Sequence, residues 1–427
     1  MKKLILLILL TGQIIMAATI KHIDINGLDI PVIFEKDKRL PIANMQFVFT
    51  NAGSIQNTDI AGLARFSAKV MNEGTKKLGS SAFAEALEAK AIGISSSTGT
   101  ETFVMEVSSL KEEFDEALKY FHMLLQDPNL TQQAIQKVKT TTIGSLTAKM
   151  NNFDYIASNA LKSILFEKTP LAKPSLGTIE SIESIKLKDV EKFIQTNLVS
   201  SKLIVVLGGD IDFADIKPKL QNILESLPKG KKTKVKHYDV TKQHKDITLK
   251  KETKQAYIYF GSPYNMRDND KDYYKARVAT YILGTGGFGS RLMEEIRVKR
   301  GLAYSAYARV HISKSCNYFN GYLQTKLDSL DEAKRTVKEV IAKFVKDGVT
   351  QEELNQTKKF LLGSEPLRVE TMSQRLNRTF MEYYKGQKLG YSKEELKKIK
   401  SLTLDDLNNF IKKHTEIQEL SFAVVTK

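Results

Sequence analysis

Two kinds of apolar spacing, alternation for strands and three-to-four spacing for helices, follow one another along the chain in an order that occurs twice. In the first half, PVIFE from Pro31 and MQFVF from Met45 read as strands, and residues 60–71 carry helical spacing. In the second half, ITLK from Ile247 and AYIYF from Ala256 take the same places, and residues 271–283 carry the helical spacing. Each half continues with two strand-like segments, 92–97 and 102–107 in the first, 303–312 and 318–324 in the second. An amphipathic helix follows, 110–125 or 330–345, and then a further helix opened by DPNLTQQ from Asp127 or DGVTQEE from Asp347. An apolar strand closes each half, LIVVL from Leu203 and LSFAVV from Leu420. Two copies of one α+β unit account for this order. Each copy predicts a mostly antiparallel sheet with helices packed on one face.

The 427 residues suffice for two such units of about 200 residues each. The boundary falls in the lysine-rich run PKGKKTKVKHYDVTKQHKD after Leu227, which cannot bury itself and reads as an exposed linker. The division expected is a leader over 1–18, a first repeat over 19–228, the linker over 229–246 and a second repeat over 247–427. His237 and His244 lie in the linker with Asp239 and Asp246, but their spacing matches no metal-ligand pattern. Lysines surround both, so they read as solvent-exposed histidines.

At the start of the chain, Lys2 and Lys3 precede an apolar run from Leu4 to Leu10, then Ile14, Ile15 and Met16, then Ala17 and Ala18. That is the layout of a secretory signal, with cleavage expected after Ala17 or Ala18 and export to a bacterial periplasm. The apolar run is short for a membrane span, an uncleaved anchor being the alternative. Cys316 is the single cysteine, which excludes an intrachain disulfide and a cysteine zinc cluster. The formal charge is +16. Most of the excess is lysine spread along helices, which makes solvated faces. Arginine is distributed differently: only Arg39 and Arg65 precede residue 260, and four lie between Arg291 and Arg309.

Those arginines follow a glycine-rich stretch, LGTGGFGSRLMEEIRVKRGLAYS from Leu283. Gly284, Gly286 and Gly289 spell G-x-G-x-x-G, and Gly287 lies among them. A dinucleotide fingerprint needs a buried strand before it and an acid about 20 residues on. Here a helical pattern precedes it and no acid stands where a ribose is held. Leu292, Ile296 and Leu302 instead predict a short helix, a turn at Gly301 and a strand from Ala303. Arg297 and Tyr304 then sit at the helix end and the strand start, where side chains can converge on a cleft. By spacing alone, solvated arginines and an ordinary strand tyrosine fit as well.

The segment AGLARFSAKVMNEGT from Ala61, placed after the strand-strand order, resembles the pitrilysin/insulinase family of zinc metallopeptidases. The closer likeness is to the small-subunit branch that contains the mitochondrial processing peptidase, and it extends over essentially the whole mature chain. Members carry an inverted zinc motif, H-x-x-E-H, directly after Gly-Leu-Ala and ahead of a Gly-Thr. Gly62, Leu63, Ala64, Gly74 and Thr75 keep that frame. The two histidine positions hold Arg65 and Lys69, and the general-base position holds Ala68. The later glutamate ligand, placed by the segment Asp154-Tyr-Ile-Ala, falls at Ser145, beside Gly144. Catalytic zinc needs three ligands drawn from His, carboxylate or thiolate, plus a water. Two cations repel the metal, so this chain is expected to bind no zinc and to be no enzyme alone. No H-x-x-E-H or H-E-x-x-H occurs elsewhere, and His22, His122, His311 and His414 read as ordinary surface or core residues.

The second-repeat signature is retained. The family's C-terminal half carries an Arg and a Tyr seven residues apart that bind the substrate carbonyl, and Arg297 and Tyr304 have that spacing. The resemblance therefore implies a non-catalytic subunit of a heterodimer. Its partner brings H-x-x-E-H and zinc, and together they enclose a peptide or unfolded-protein substrate lying along a strand edge. A peptide-binding scaffold in which Arg297 and Tyr304 are relics is the alternative. A nucleic-acid binder has no aromatic-interleaved platform here, and export opposes it.

Overall fold

A computed structural model of the protein describes residues 18–427 apart from Thr58. The segment 1–17, where the secretory signal is expected, lies outside the described residues.

Two sheets organise the molecule. The first contains β1 (Thr19–Ile25), β2 (Leu28–Lys36), β3 (Ile42–Thr50), β4 (Gly93–Thr98), β5 (Thr102–Leu110) and β6 (Leu203–Gly209), in the order β1-β2-β6-β3-β5-β4. The second contains β7 (Asp246–Lys250), β8 (Gln255–Pro263), β9 (Ala303–Ile312), β10 (Asn317–Lys326) and β11 (Ser421–Thr426), in the order β7-β11-β8-β10-β9. With β1 set aside, the two orders correspond strand for strand. In each, the last strand in sequence inserts between the first two, parallel to one and antiparallel to the other. A repeat read from hydrophobic spacing is thus a repeat of topology.

β1 was not foreseen. It pairs antiparallel with β2 through a two-residue turn at Asn26 and Gly27, both at positive φ. An Asn-Gly pair between alternating segments is a strong short-range hairpin signal. Helix bounds moved by a few residues. The 110–125 helix is Phe114–Gln126 after a short 3-10 turn, and the 330–345 helix is Leu330–Asp347.

Each sheet packs its own repeat's helices on one face. In the first, Phe47, Phe49, Phe103 and Leu207 meet Ala68, Met71, Phe114 and Phe121. In the second, Phe260, Phe319 and Leu323 meet Val337, Ile341 and Phe410. The opposite face of each sheet carries a helix contributed by the other repeat. Helix Phe153–Leu165 of the first repeat lays Leu161, Ile164 and Leu165 against Tyr318 and Ala423 of the second sheet. Helix Met372–Tyr384 of the second repeat lays Met372 and Leu376 against Ile33, Val48, Ile204 and Val206 of the first. Gly261 of β8 leaves room for this approach, since a Cβ there would lie 2.8 Å from Leu165 Cδ1 and 3.0 Å from the Phe319 carbonyl.

Polar contacts fix each exchanged helix in place. Asp154 accepts hydrogen bonds from Tyr259 Oη (3.2 Å) and Gln324 Nε2 (2.7 Å). Arg375 donates to Glu35 Oε1 through Nε (2.8 Å) and to Asp37 Oδ2 through Nη2 (2.7 Å), all three side chains being nearly buried. Arg39 and Arg375 hold the Asp37 carboxyl well below the usual carboxylate range, whereas burial pushes Glu35 up. Glu101, at the β4–β5 turn, joins the repeats again by accepting from the Ser315 amide (2.7 Å) and Tyr384 Oη (2.6 Å).

The linker crosses between the sheets and is pinned to the second one. The Tyr238 amide donates to Ser315 O (2.8 Å), the Thr241 amide to Leu165 O (2.8 Å), and Val240 is buried. Among the described residues, no helix is long and apolar enough to cross a membrane.

Removing the Arg375 cation leaves the buried Glu35 carboxylate without its partner beside Asp37, which keeps Arg39. Arg375→Met is expected to cost about 3–5 kcal/mol in urea unfolding at neutral pH. Burial already favours the protonated form of Glu35, so lowering the pH lets the abandoned group take up a proton. The deficit should therefore shrink near pH 5.

Candidate functional site

Helix Leu63–Met71 begins at Gly62, whose φ of 85° turns the chain into it. Ala64 and Ala68 face the first sheet's core, which leaves Arg65 and Lys69 together on the other side, one turn apart. Lys69 Nζ donates to Thr142 Oγ1 at 3.0 Å, and Arg65 Nη2 to the Thr98 carbonyl at 3.4 Å. Burial, and then the Arg65 charge, push the Lys69 pKa down. Ser145 is exposed, one turn beyond Thr142 on helix Gln132–Lys149. The residue that meets Lys69 is thus Thr142, which the sequence reading missed. Two cations, a hydroxyl and a carbonyl oxygen offer no anionic or imidazole donor for zinc. Among the described residues, no three His, Cys, Asp or Glu side chains are grouped as metal ligands.

The edge beside this helix is occupied. The Asn72 side chain donates through Nδ2 to Ser96 O (3.0 Å) and accepts from the Ser96 amide at Oδ1 (2.6 Å). This pair of bonds copies the exchange that a neighbouring strand makes with an antiparallel partner. β4 is the last strand of the sheet, and β5 lies on its other side. Asn72 at Ser96 and Arg65 at Thr98 therefore cap the outward groups of β4. A peptide adding there as a strand must displace them.

The second cluster lies where the glycine-rich stretch meets β9. Helix Tyr273–Thr280 continues into a π-helical turn, Tyr281–Thr285, and Arg297 sits in another, Glu294–Lys299. Such widened turns recur at functional sites. Gly284 serves packing: a Cβ there would lie 2.5 Å from the Ala308 carbonyl of β9. Gly286, Gly287 and Gly289 form the tight turn that lifts Phe288 into solvent. The Arg297 guanidinium lies 4.6 Å from the Phe288 ring and 4.2 Å from the Tyr304 ring, stacked against both. Tyr304 is 82% exposed. The sequence reading had singled out Arg297 and Tyr304 but not Phe288, whose signal was its place among glycines.

The neighbouring arginines separate by their partners. Arg291 is locked to Glu353 (2.6 and 2.8 Å), and Arg300 lies between Glu295 (3.8 Å) and Glu339 (3.9 Å). Among the described residues Arg297 meets no carboxylate. Its N–H groups and the Tyr304 hydroxyl remain available to an acceptor from outside the chain.

The histidines are dispersed. His22 pairs with Asp29 at the surface (2.8 Å), His414 bonds Glu416 (2.7 Å), and His311 stacks on Tyr318 at 4.5 Å. His122 Nε2 is buried without a partner. His237 departs from expectation: its side chain is only 21% exposed, and Nδ1 meets the Lys314 carbonyl at 2.8 Å. The pinning of the linker buries it. His237 and His244 line a hollow of about 780 Å³ together with Asp239, while Asp246 instead holds Lys334 (2.8 Å).

Over all 427 residues the chain is 43% identical to a Helicobacter pylori protein named Non-peptidase homolog YmxG, of which it covers 99%. The chain belongs to the M16 peptidase family. Residues 32–179 match Insulinase (Peptidase family M16), and residues 184–361 match Peptidase M16 inactive domain. The M16 fold is also that of a peptidase M16 inactive domain structure from Pseudomonas fluorescens, with a TM-score of 0.86 at 23% identity over 95% of this chain and 98% of that one. A Helicobacter pylori protease structure gives a TM-score of 0.81 at 15% identity, covering 96% of this chain and 100% of that one. Within this M16 chain, the first repeat sets the cations Arg65 and Lys69 one turn apart, while the second presents an arginine that, among the described residues, meets no carboxylate and lies beside an exposed phenol.

Asn72→Ala removes both bonds to Ser96 at a cost of about 1 kcal/mol. By hydrogen exchange, the Ser96 amide is expected to lose protection. Ser95 and Ser97, which alternate toward β5, should keep theirs.

Proposed function

We propose that this chain is the non-catalytic subunit of a heterodimeric zinc metallopeptidase in the exported compartment. The partner supplies H-x-x-E-H, the zinc and the activated water. This chain supplies Arg297 and Tyr304 as donors to the substrate carbonyl, together with half of a chamber that encloses a peptide or unfolded chain. The observation that carries the reading is the contrast between the two clusters. Where metal ligands are expected, Arg65 and Lys69 stand with Thr142. Where carbonyl donors are expected, Arg297 is held between two rings with no carboxylate to neutralise it. The relative named a non-peptidase homologue supports the same division.

The chemistry assigned to this chain is modest. As water adds to the scissile carbonyl, its oxygen gains charge, and a preorganised guanidinium and phenol stabilise that charge more than they stabilise the ground state. Stacking restricts Arg297 before substrate arrives, so little ordering is left to do. With β4 of this chain capped by its own side chains, the extended peptide is assigned to the partner's edge strand.

Reconstitution with the zinc-bearing partner tests this. Arg297→Ala combined with Tyr304→Phe is expected to lower peptide kcat/KM by at least about 10²-fold, with the mass of the complex unchanged. Unaltered kcat/KM in that variant would contradict the shared site and leave a scaffold role.

A further inference from the structure

Two cations lie where the exchanged helix of the first repeat meets the second sheet. On the exchanged helix Phe153–Leu165, Lys162 lies next to Leu161, which packs on the second sheet. Arg309 and His311 are on β9, and their cross-strand neighbours on β10 are Asn320 and Tyr318. His311 and Tyr318 stack at 4.5 Å, and Tyr318 belongs to the cluster that holds the exchanged helix. Arg309 and His311, two residues apart on one strand, therefore share the face that this helix covers. Lys162 and Arg309 are both reached by solvent.

The charges act on one another. Burial pushes the Lys162 ammonium down, and Arg309 and Arg65 add to this against the opposing Cys316. Burial, then Arg309 and Lys162, bring His311 down to about 3. Among the described residues, neither Arg65, Lys162 nor Arg309 meets a carboxylate. Arg65 touches the Thr98 carbonyl, and Arg309 lies 6.0 Å from the Tyr307 ring. His311 Nε2 and Asn320 Oδ1 are buried, and Asn320 is the polar neighbour of His311. A fold that neutralises Arg291, Arg300 and Arg375 with acids leaves these three cations bare.

We propose that Lys162 and Arg309 form a subsite for the carboxylate side chains of an acidic peptide segment. This rests on the peptide-enclosing reading above and names the substrate class it favours. Two cations on separate elements, a helix and a strand, suit carboxylates spaced along an extended chain better than one compact phosphate. Tyr259, Tyr307 and Tyr322 continue the same sheet face as an aromatic surface, with Tyr259 and Tyr322 stacked at 5.4 Å.

Fluorescence anisotropy on the mature full chain tests the assignment with a labelled Glu-rich peptide and its Gln-substituted counterpart. The Glu-rich peptide is expected to bind at least about tenfold more tightly at low salt, the preference fading as salt rises. Lys162→Met with Arg309→Gln should abolish the preference without altering thermal unfolding or affinity for the Gln peptide. Restoring the charge with Arg309→Lys should recover part of it. Equal affinity for the two peptides, or a preference that survives in the double variant, overturns this subsite alone. Failure of both peptides to bind overturns the peptide reading as well. Displacement of the Glu-rich peptide by single-stranded DNA at far lower concentration than by unlabelled peptide also overturns it, in favour of a nucleic-acid ligand.

Discussion

The exchange of one helix between the repeats is the constraint on which the rest of the structure depends. A sheet of Ile33, Val48, Ile204 and Val206 on one side and Phe47, Phe103 and Leu207 on the other has two apolar faces, and its own helices cover only one. The second face is closed by Met372 and Leu376 from the far repeat, and the second sheet's is closed reciprocally by Leu161 and Leu165. Burying each such side chain contributes about 1.5–3 kcal/mol. Neither repeat can realise that gain alone. The Arg375 and Asp154 contacts set the position of the exchanged helices, since buried charge tolerates little displacement from its partner. The same exchange brings Lys162, on a first-repeat helix, over the second sheet near Arg309.

The two candidate clusters follow from opposite treatments of charge. At Arg65 and Lys69 the cations meet neutral oxygens, within a chain that keeps the M16 fold. At Arg297 the cation is retained and stacked, while its neighbours Arg291 and Arg300 are tied to Glu353, Glu295 and Glu339. Preorganisation without neutralisation is what a donor to a developing oxyanion requires.

Much of the fold was legible in the sequence because the apolar spacing of strands and helices is local, and its order recurred. What spacing cannot report is which sheet a helix covers. The helix after Asn152 is amphipathic whichever sheet receives it, so the exchange stayed hidden. The site divided in the same way. Arg297 and Tyr304 were singled out by the family signature their spacing shares, and Arg65, Ala68 and Lys69 by their place in the family motif. Phe288, Thr142 and Asn72 act through contacts between segments: a ring lifted by glycines, a hydroxyl reached across two helices, and an amide that imitates a strand. None of these has a signature in one dimension. His237 was misplaced for a related reason, since a lysine-rich linker reads as solvated even where backbone bonds fasten it down.

The central claim is that this chain completes another chain's active site. Affinity isolation of the tagged mature chain from its native envelope, with mass-spectrometric identification of what accompanies it, tests that claim most directly. The account predicts a similar-sized exported protein bearing H-x-x-E-H, recovered in near-equal amount. Recovery of the chain alone, or with a complex that lacks any such protein, would contradict it.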